Sequence, residues 1–182
     1  NQAYLTLKEL KVAKANADEI LKKSIEDILR EIENELNTKM KDINDSLFST
    51  PREPPHIHFN KYDSYKFETP DDTGTGSNFK GMIVYDLAVL LCTALLALAH
   101  DSLLFKNLEK DIEDGLIKIY DITNKKVFIA YDKQGDYRAE TRERIERNAR
   151  IILSTDGCEL YGMSWNKEEN KTNEDELQQT LE

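Results

Sequence analysis

The chain has 182 residues, 33% of them charged and 39% hydrophobic, with 25 Lys and Arg against 35 Asp and Glu for a net charge of −10. That length fits about one domain. The acidity excludes a dedicated nucleic-acid face and docking on anionic membranes, both of which need clustered Lys and Arg. Cys92 and Cys158 are too few for a disulfide framework and fit a reducing, cytoplasmic setting. The start resembles no signal peptide. Opening on Asn1 within a helical pattern, the chain reads as a piece cut from a longer protein.

Residues 1–47 hold neither Gly nor Pro. Apolar residues recur at Leu10, Ala13, Ala17, Ile20, Leu21, Ile25, Ile28, Ile32, Leu36, Met40, Ile43 and Leu47. Steps of three and four make a helical stripe, narrow enough for a coiled-coil seam. So long a stripe calls for a partner helix from another chain or an earlier segment; the alternative is one long helix lying on its own domain. Pro51, Pro54 and Pro55 end the helix, because proline removes an N–H donor and disfavours helix before it.

His56–Phe59 and Tyr65–Glu68 alternate as half-buried strands do, with residues 60–64 as the turn. Residues 71–78 (Asp-Asp-Thr-Gly-Thr-Gly-Ser-Asn) form a polar loop ending in helix-capping residues. Met82–Ala99 is almost continuously apolar, broken by Asp86 and Thr93. Acidic flanks and the lack of a basic cluster argue against a membrane span, and predict a buried helix at 78–95 followed by a strand into His100-Asp101-Ser102. Asn107–Tyr120 is an amphipathic helix, Lys126–Tyr131 a strand, Arg138–Arg150 a charged helix, Arg150–Leu153 and Gly157–Trp165 short strands. From Asn166 the chain is a polar, acidic tail. Strands alternating with helices after residue 78 predict an α/β fold with a parallel sheet.

The first chemical candidate is the glycine-rich run Gly74-Thr75-Gly76-Ser77-Asn78, where small residues let backbone amides approach an anion at a helix N-terminus. It lacks the Gly-Lys-Ser/Thr ending of a Walker A loop, and a plain loop before a helix is its simpler reading. The second is Asp101, at the carboxyl end of a buried strand. There a carboxylate can hold the water shell of a phosphate-bound Mg²⁺, or simply cap the next helix. His56 and His58 share a strand face and would need His100 beside them to hold a metal. Cys92 belongs to the core, and Ser102 lacks the setting of a hydrolase nucleophile. Arg138, Arg142, Arg144, Arg147 and Arg150 alternate with glutamates, as on a solvated, ion-paired helix.

Residues 73–82 (Thr-Gly-Thr-Gly-Ser-Asn-Phe-Lys-Gly-Met), 85–88 (Tyr-Asp-Leu-Ala) and 99–105 (Ala-His-Asp-Ser-Leu-Leu-Phe) together resemble a bacterial domain of unknown function, the YydD-type C-terminal domain of SMC-like and Rad50-like ABC ATPases, over roughly residues 48–165. The resemblance implies an α/β C-terminal lobe of an ABC/SMC-type ATPase head, carried on a long N-terminal coiled-coil helix. It divides the chain into an arm helix (1–48), the lobe (49–165) and an acidic tail (166–182). By it, Gly74, Thr75, Gly76, Ser77 and Asn78 stand as a nucleotide-binding signature loop facing the ATP of an opposite head. Asp101 stands as the Walker B aspartate, holding Mg²⁺, with Ser102 beside it where active ATPases usually carry the water-orienting glutamate. Tyr131-Asp132 stands where a switch histidine is often found. The implied cofactors are ATP and Mg²⁺. The implied partners are an N-terminal P-loop lobe, a second head and a coiled-coil helix, with DNA contacted elsewhere on the parent and no membrane. With no Walker A loop of its own, this stretch is not a complete ATPase. The rival expectations are a coiled-coil dimerisation module with an inactive α/β cap, and a metal-dependent hydrolase using His56, His58 and Asp101.

Overall fold

The computed structural model describes residues 2–70, 74–131, 137–154 and 158–162. They fall into two compact units, Asn1–Ile145 and Glu146–Glu182.

In the first unit, α1 (Gln2–Leu47) is one unbroken helix, as the absence of Gly and Pro predicts. Only its last third is buried: Leu36, Met40, Ile43, Asn44 and Leu47 enter the core. The expectation of a helix lying on its own domain therefore holds for part of its length. Residues 36–47 lie on the chain's own domain, while Leu10, Ile20, Leu21 and Ile28 are more than half exposed. Gly115 lets its own helix come close, because a Cβ there would press into Leu47. After the helix, Asn44 donates to the Arg52 carbonyl at 3.0 Å, fixing the proline-rich turn.

β1 (His56–Lys61) and β2 (Ser64–Glu68) form an antiparallel hairpin in register Ile57↔Phe67. α1 covers the outer edge of β1. The Asn37 amide donates to the Ile57 carbonyl at 2.9 Å and accepts the Ile57 N–H at 2.8 Å. Four residues earlier, one turn away, Glu33 accepts the Phe59 N–H at 2.8 Å. Two side chains thus supply the hydrogen bonds a third strand would make.

α2 (Thr75–Cys92) begins and ends three residues earlier than the sequence predicts. Gly74 is its N-cap, without a side-chain capping bond, so Thr75 to Asn78 form the first helical turn rather than a loop. Its apolar faces bury Ile83, Val84, Leu87, Ala88 and Leu90. β3 (Ala97–His100) leads into a 3-10 turn at Ser102–Phe105, then α3 (Lys110–Ile122) and β4 (Lys126–Ile129). β3 and β4 pair in parallel, Leu98↔Val127 and His100↔Ile129. The α/β character is as predicted, in two separate two-stranded sheets.

α4 (Ala139–Asn148) is the ion-paired helix the sequence predicts. Arg144 pairs with Glu140 and, at 3.2 Å, with Asp121, and Thr141 donates to Asp114 at 2.6 Å. In the second unit, residues 151–154 are irregular instead of a strand, with Ile151, Ile152 and Leu153 exposed. A short apolar run without a neighbouring ladder to join does not hold a strand. Residues 158–162 form a turn closed by Gly162 N–H to the Glu159 carbonyl at 3.0 Å. Gly162 takes φ +66°, which glycine adopts freely. The remainder of the strand predicted at 157–165, the tail from Asn166, Asp71–Thr73 and Asp132 lie outside the described residues. Among the described residues no helix is long and apolar enough to cross a membrane.

Candidate functional site

The glycine run and Asp101 stand at opposite ends of one short segment, residues 101–109. At its far end Asn107 packs on the first turn of α2. Gly76 is required there, because any Cβ would collide with the Asn107 carbonyl oxygen. Asn78 donates its N–H to the Gly74 carbonyl at 3.2 Å, and its side-chain oxygen accepts the Thr69 hydroxyl at 3.1 Å. A shallow cavity of about 70 Å³ opens beside this turn, lined by Phe48, Arg52, Gly76, Ser77, Lys80 and Asn107, with Glu109 on its wall. Two cations share the Phe48 ring: the Arg52 guanidinium lies 4.4 Å and the Lys80 ammonium 4.7 Å from its centroid. Lys80 is 7% exposed. A helix N-terminus and two cations form an electropositive cradle, which Glu109 and the Asn107 carbonyl packed on Gly76 offset in part.

At the near end, Asp101 follows the last residue of β3 and is exposed. Its carboxylate accepts the Ser102 N–H at 2.7 Å, capping the 3-10 turn, and lies 3.4 Å from the Ser102 hydroxyl. The capping role seen in the sequence is therefore present, at a strand end that also faces solvent.

Beneath Asp101 lies a buried polar chain. His100, its side chain 2% exposed, sits between Asp86 at 3.1 Å from Nε2 and the Tyr120 hydroxyl at 2.9 Å from Nδ1. Phe105 packs edge-on against both rings. Burial, with the Asp86 charge nearby, raises the Tyr120 phenol well above its usual range, so Tyr120 is a neutral phenol near neutral pH. Asp86 is on α2, His100 on β3 and Tyr120 on α3. The chain thus locks the strand end carrying Asp101 to the middle of α2. The sequence signals it only as a lone carboxylate within an apolar helix.

The three histidines do not meet at a metal. His56 pairs with Glu68 at 3.2 Å, His58 with Glu33 at 3.0 Å, and His100 with Asp86. No group of three metal-ligating side chains occurs among the described residues. Desolvation pushes the Glu33 carboxyl up, but the Phe59 amide and the His58 ring outweigh it and hold the carboxyl below its ordinary range. Cys92 is half-buried, its thiol raised by burial.

A long helix clamped on an α/β domain, with a glycine-lined helix start and an acidic strand end joined beneath by a buried histidine, defines the class. The chain belongs to the DUF2326 family, uncharacterised proteins conserved in bacteria, whose sequence pattern matches residues 32–165. That span begins where α1 starts to dock and leaves out the free part of the helix. No curated protein matches the chain.

Proposed function

We propose that this chain is the C-terminal lobe of an SMC-like ABC-type ATPase head, completing a nucleotide site with the P-loop lobe of its parent and with a second head. The observation that carries this is the parallel pair β3–β4. Parallel strands occur in larger sheets covered on both faces, yet among the described residues this sheet has two strands. Phe128 on β4 is 62% exposed and Leu96, just before β3, 78%. Such a sheet suits completion by the strands of another lobe, which would bring a P-loop to the strand end that carries Asp101.

The residues present fit ATP and Mg²⁺. The amides of α2's first turn, Ser77 and the cations Arg52 and Lys80 suit phosphate oxygens, and Asp101 suits the hydration shell of Mg²⁺. Bound Mg²⁺ would neutralise charge on the transferring phosphoryl group. Gly76 admits Asn107 against the first turn of α2, Asp101 would hold water on the metal, and His100 ties β3 to α2 through Asp86. Ser102, a poor general base, makes for slow turnover. DNA, if the parent binds it, would meet a surface other than this acidic lobe, and the site lends itself to a cytoplasmic ATPase.

In the complete parent protein with ATP and Mg²⁺, head dimerisation followed by sedimentation is expected to vanish in Asp101→Ala and in Ser77→Arg. Dimerisation unchanged in both overturns the proposal. It would favour the second reading, a partner-binding module with an inactive cap, which has its own support in the engagement of Asp101 as the cap of the turn after β3.

A further inference from the structure

At 3.6 residues per turn, the apolar stripe of α1 is two stripes. Leu36, Met40, Ile43 and Leu47 face the domain. Leu10, Ala17, Leu21 and Ile28 face about a quarter-turn away, on a side that no described residue covers; Leu10, Leu21 and Ile28 are 62%, 60% and 55% exposed. We propose that this free stripe is the docking face for a second copy of the chain, the two α1 helices crossing antiparallel about residue 19.

The spacing is its own mirror image. Reversed about residue 19, Leu10 falls opposite Ile28 and Ala17 opposite Leu21, so each small residue meets a large one. A parallel pair would set Ala17 against Ala17, leaving a void, and Lys14, which lies in the same seam, against Lys14. The antiparallel pair sets Lys14 across from Ser24 and Asp18 across from Ile20. The charge gradient has the same sense. Residues 2–17 carry Lys8, Lys11 and Lys14 against Glu9 alone, whereas residues 18–35 carry seven acids against three bases. Antiparallel pairing lays the basic end of one helix along the acidic stretch of the other. The paired stretch ends before Glu33, where α1 begins to contact β1, so the two domains sit at opposite ends. This pairing stands on the arm helix alone and, because it holds the two lobes apart, is a separate contact from the head-to-head one of the proposed function.

The test uses the full chain with Cys92→Ala and Cys158→Ser, adding Leu10→Cys to one preparation and Ile28→Cys to another. On mild oxidation, the mixture is expected to give a disulfide-linked dimer, and Leu10→Cys alone none, since those thiols would lie about 27 Å apart at 1.5 Å rise per residue. Sedimentation without the new cysteines is expected to show a dimer weakened at least ~100-fold by Leu21→Gln with Ile28→Gln, which removes apolar contact but keeps helix propensity. Both positions are exposed in the single chain, and unchanged circular dichroism checks the fold. Three results overturn the pairing: a monomer at every concentration, Leu10→Cys cross-linking to itself as readily as the mixture, or a dimer indifferent to the double glutamine variant.

Discussion

The two small sheets of this protein meet the same problem and resolve it differently. Each has two strands, too few to be stable alone. The hairpin β1–β2 is completed within the chain: Ile57 is 1% exposed in the core, and Asn37 and Glu33 of α1 occupy its outer edge. The parallel pair β3–β4 is held from one side by His100, Asp86 and Tyr120, while Phe128 is left exposed. A sheet that closes its own edge is structural. The one left open, beside an exposed carboxylate, is the feature on which the proposed completion by another lobe rests.

Substitutions break this contrast most sharply at Ile57. Ile57→Ala is expected to cost about 2–4 kcal/mol, since a fully buried side chain leaves a cavity, read as a lower urea midpoint. A loss below 1 kcal/mol would mean that the hairpin is not part of the core. Next is Asn37→Ala, which strands the N–H and carbonyl of Ile57 without partners, at about 1–3 kcal/mol. Amide exchange at Ile57 should quicken in step, and unchanged exchange would show that the edge needs no cover.

Glu33→Gln should cost less, about 1 kcal/mol near neutral pH. The folded carboxyl titrates below its ordinary 4.5, so its contribution is present above that pH and lost as pH falls through the folded value. The variant's unfolding midpoint should therefore converge on that of the unaltered chain in acid; a constant gap would remove the charge from the account. Smallest is Phe128→Ser, expected to change the stability of the chain by no more than about 0.5 kcal/mol while impairing assembly with a completing lobe. A large loss of stability would mean that the parallel sheet is already closed.

Much of this architecture is legible in the residues. The absence of Gly and Pro through residue 47 determines one helix, Pro51–Pro55 its end, the alternation of His56–Phe59 and Tyr65–Glu68 a hairpin, and the apolar run from Met82 a buried helix ahead of a strand. These are local properties, set by backbone freedom and periodicity along the chain. Helix ends are weaker signals: α2 starts at Thr75 on a glycine cap because close packing on Asn107, not a capping side chain, decides where Gly76 lies. Ile151–Leu153 looks like a strand and is none, since a strand depends on a neighbour that no local pattern supplies.

What only the tertiary structure decided are contacts between residues far apart in the chain. Asn37 standing in for a strand, His100 joining Asp86 to Tyr120, and Arg52 and Lys80 meeting over Phe48 each combine residues whose types are ordinary where they occur. So does the division of α1's apolar positions into a docked face and a free one, which depends on where the domain begins to press on the helix. Sequence spacing determined the helix and its repeat; the packing of the α/β domain against residues 36–47 determined which side of it was left open.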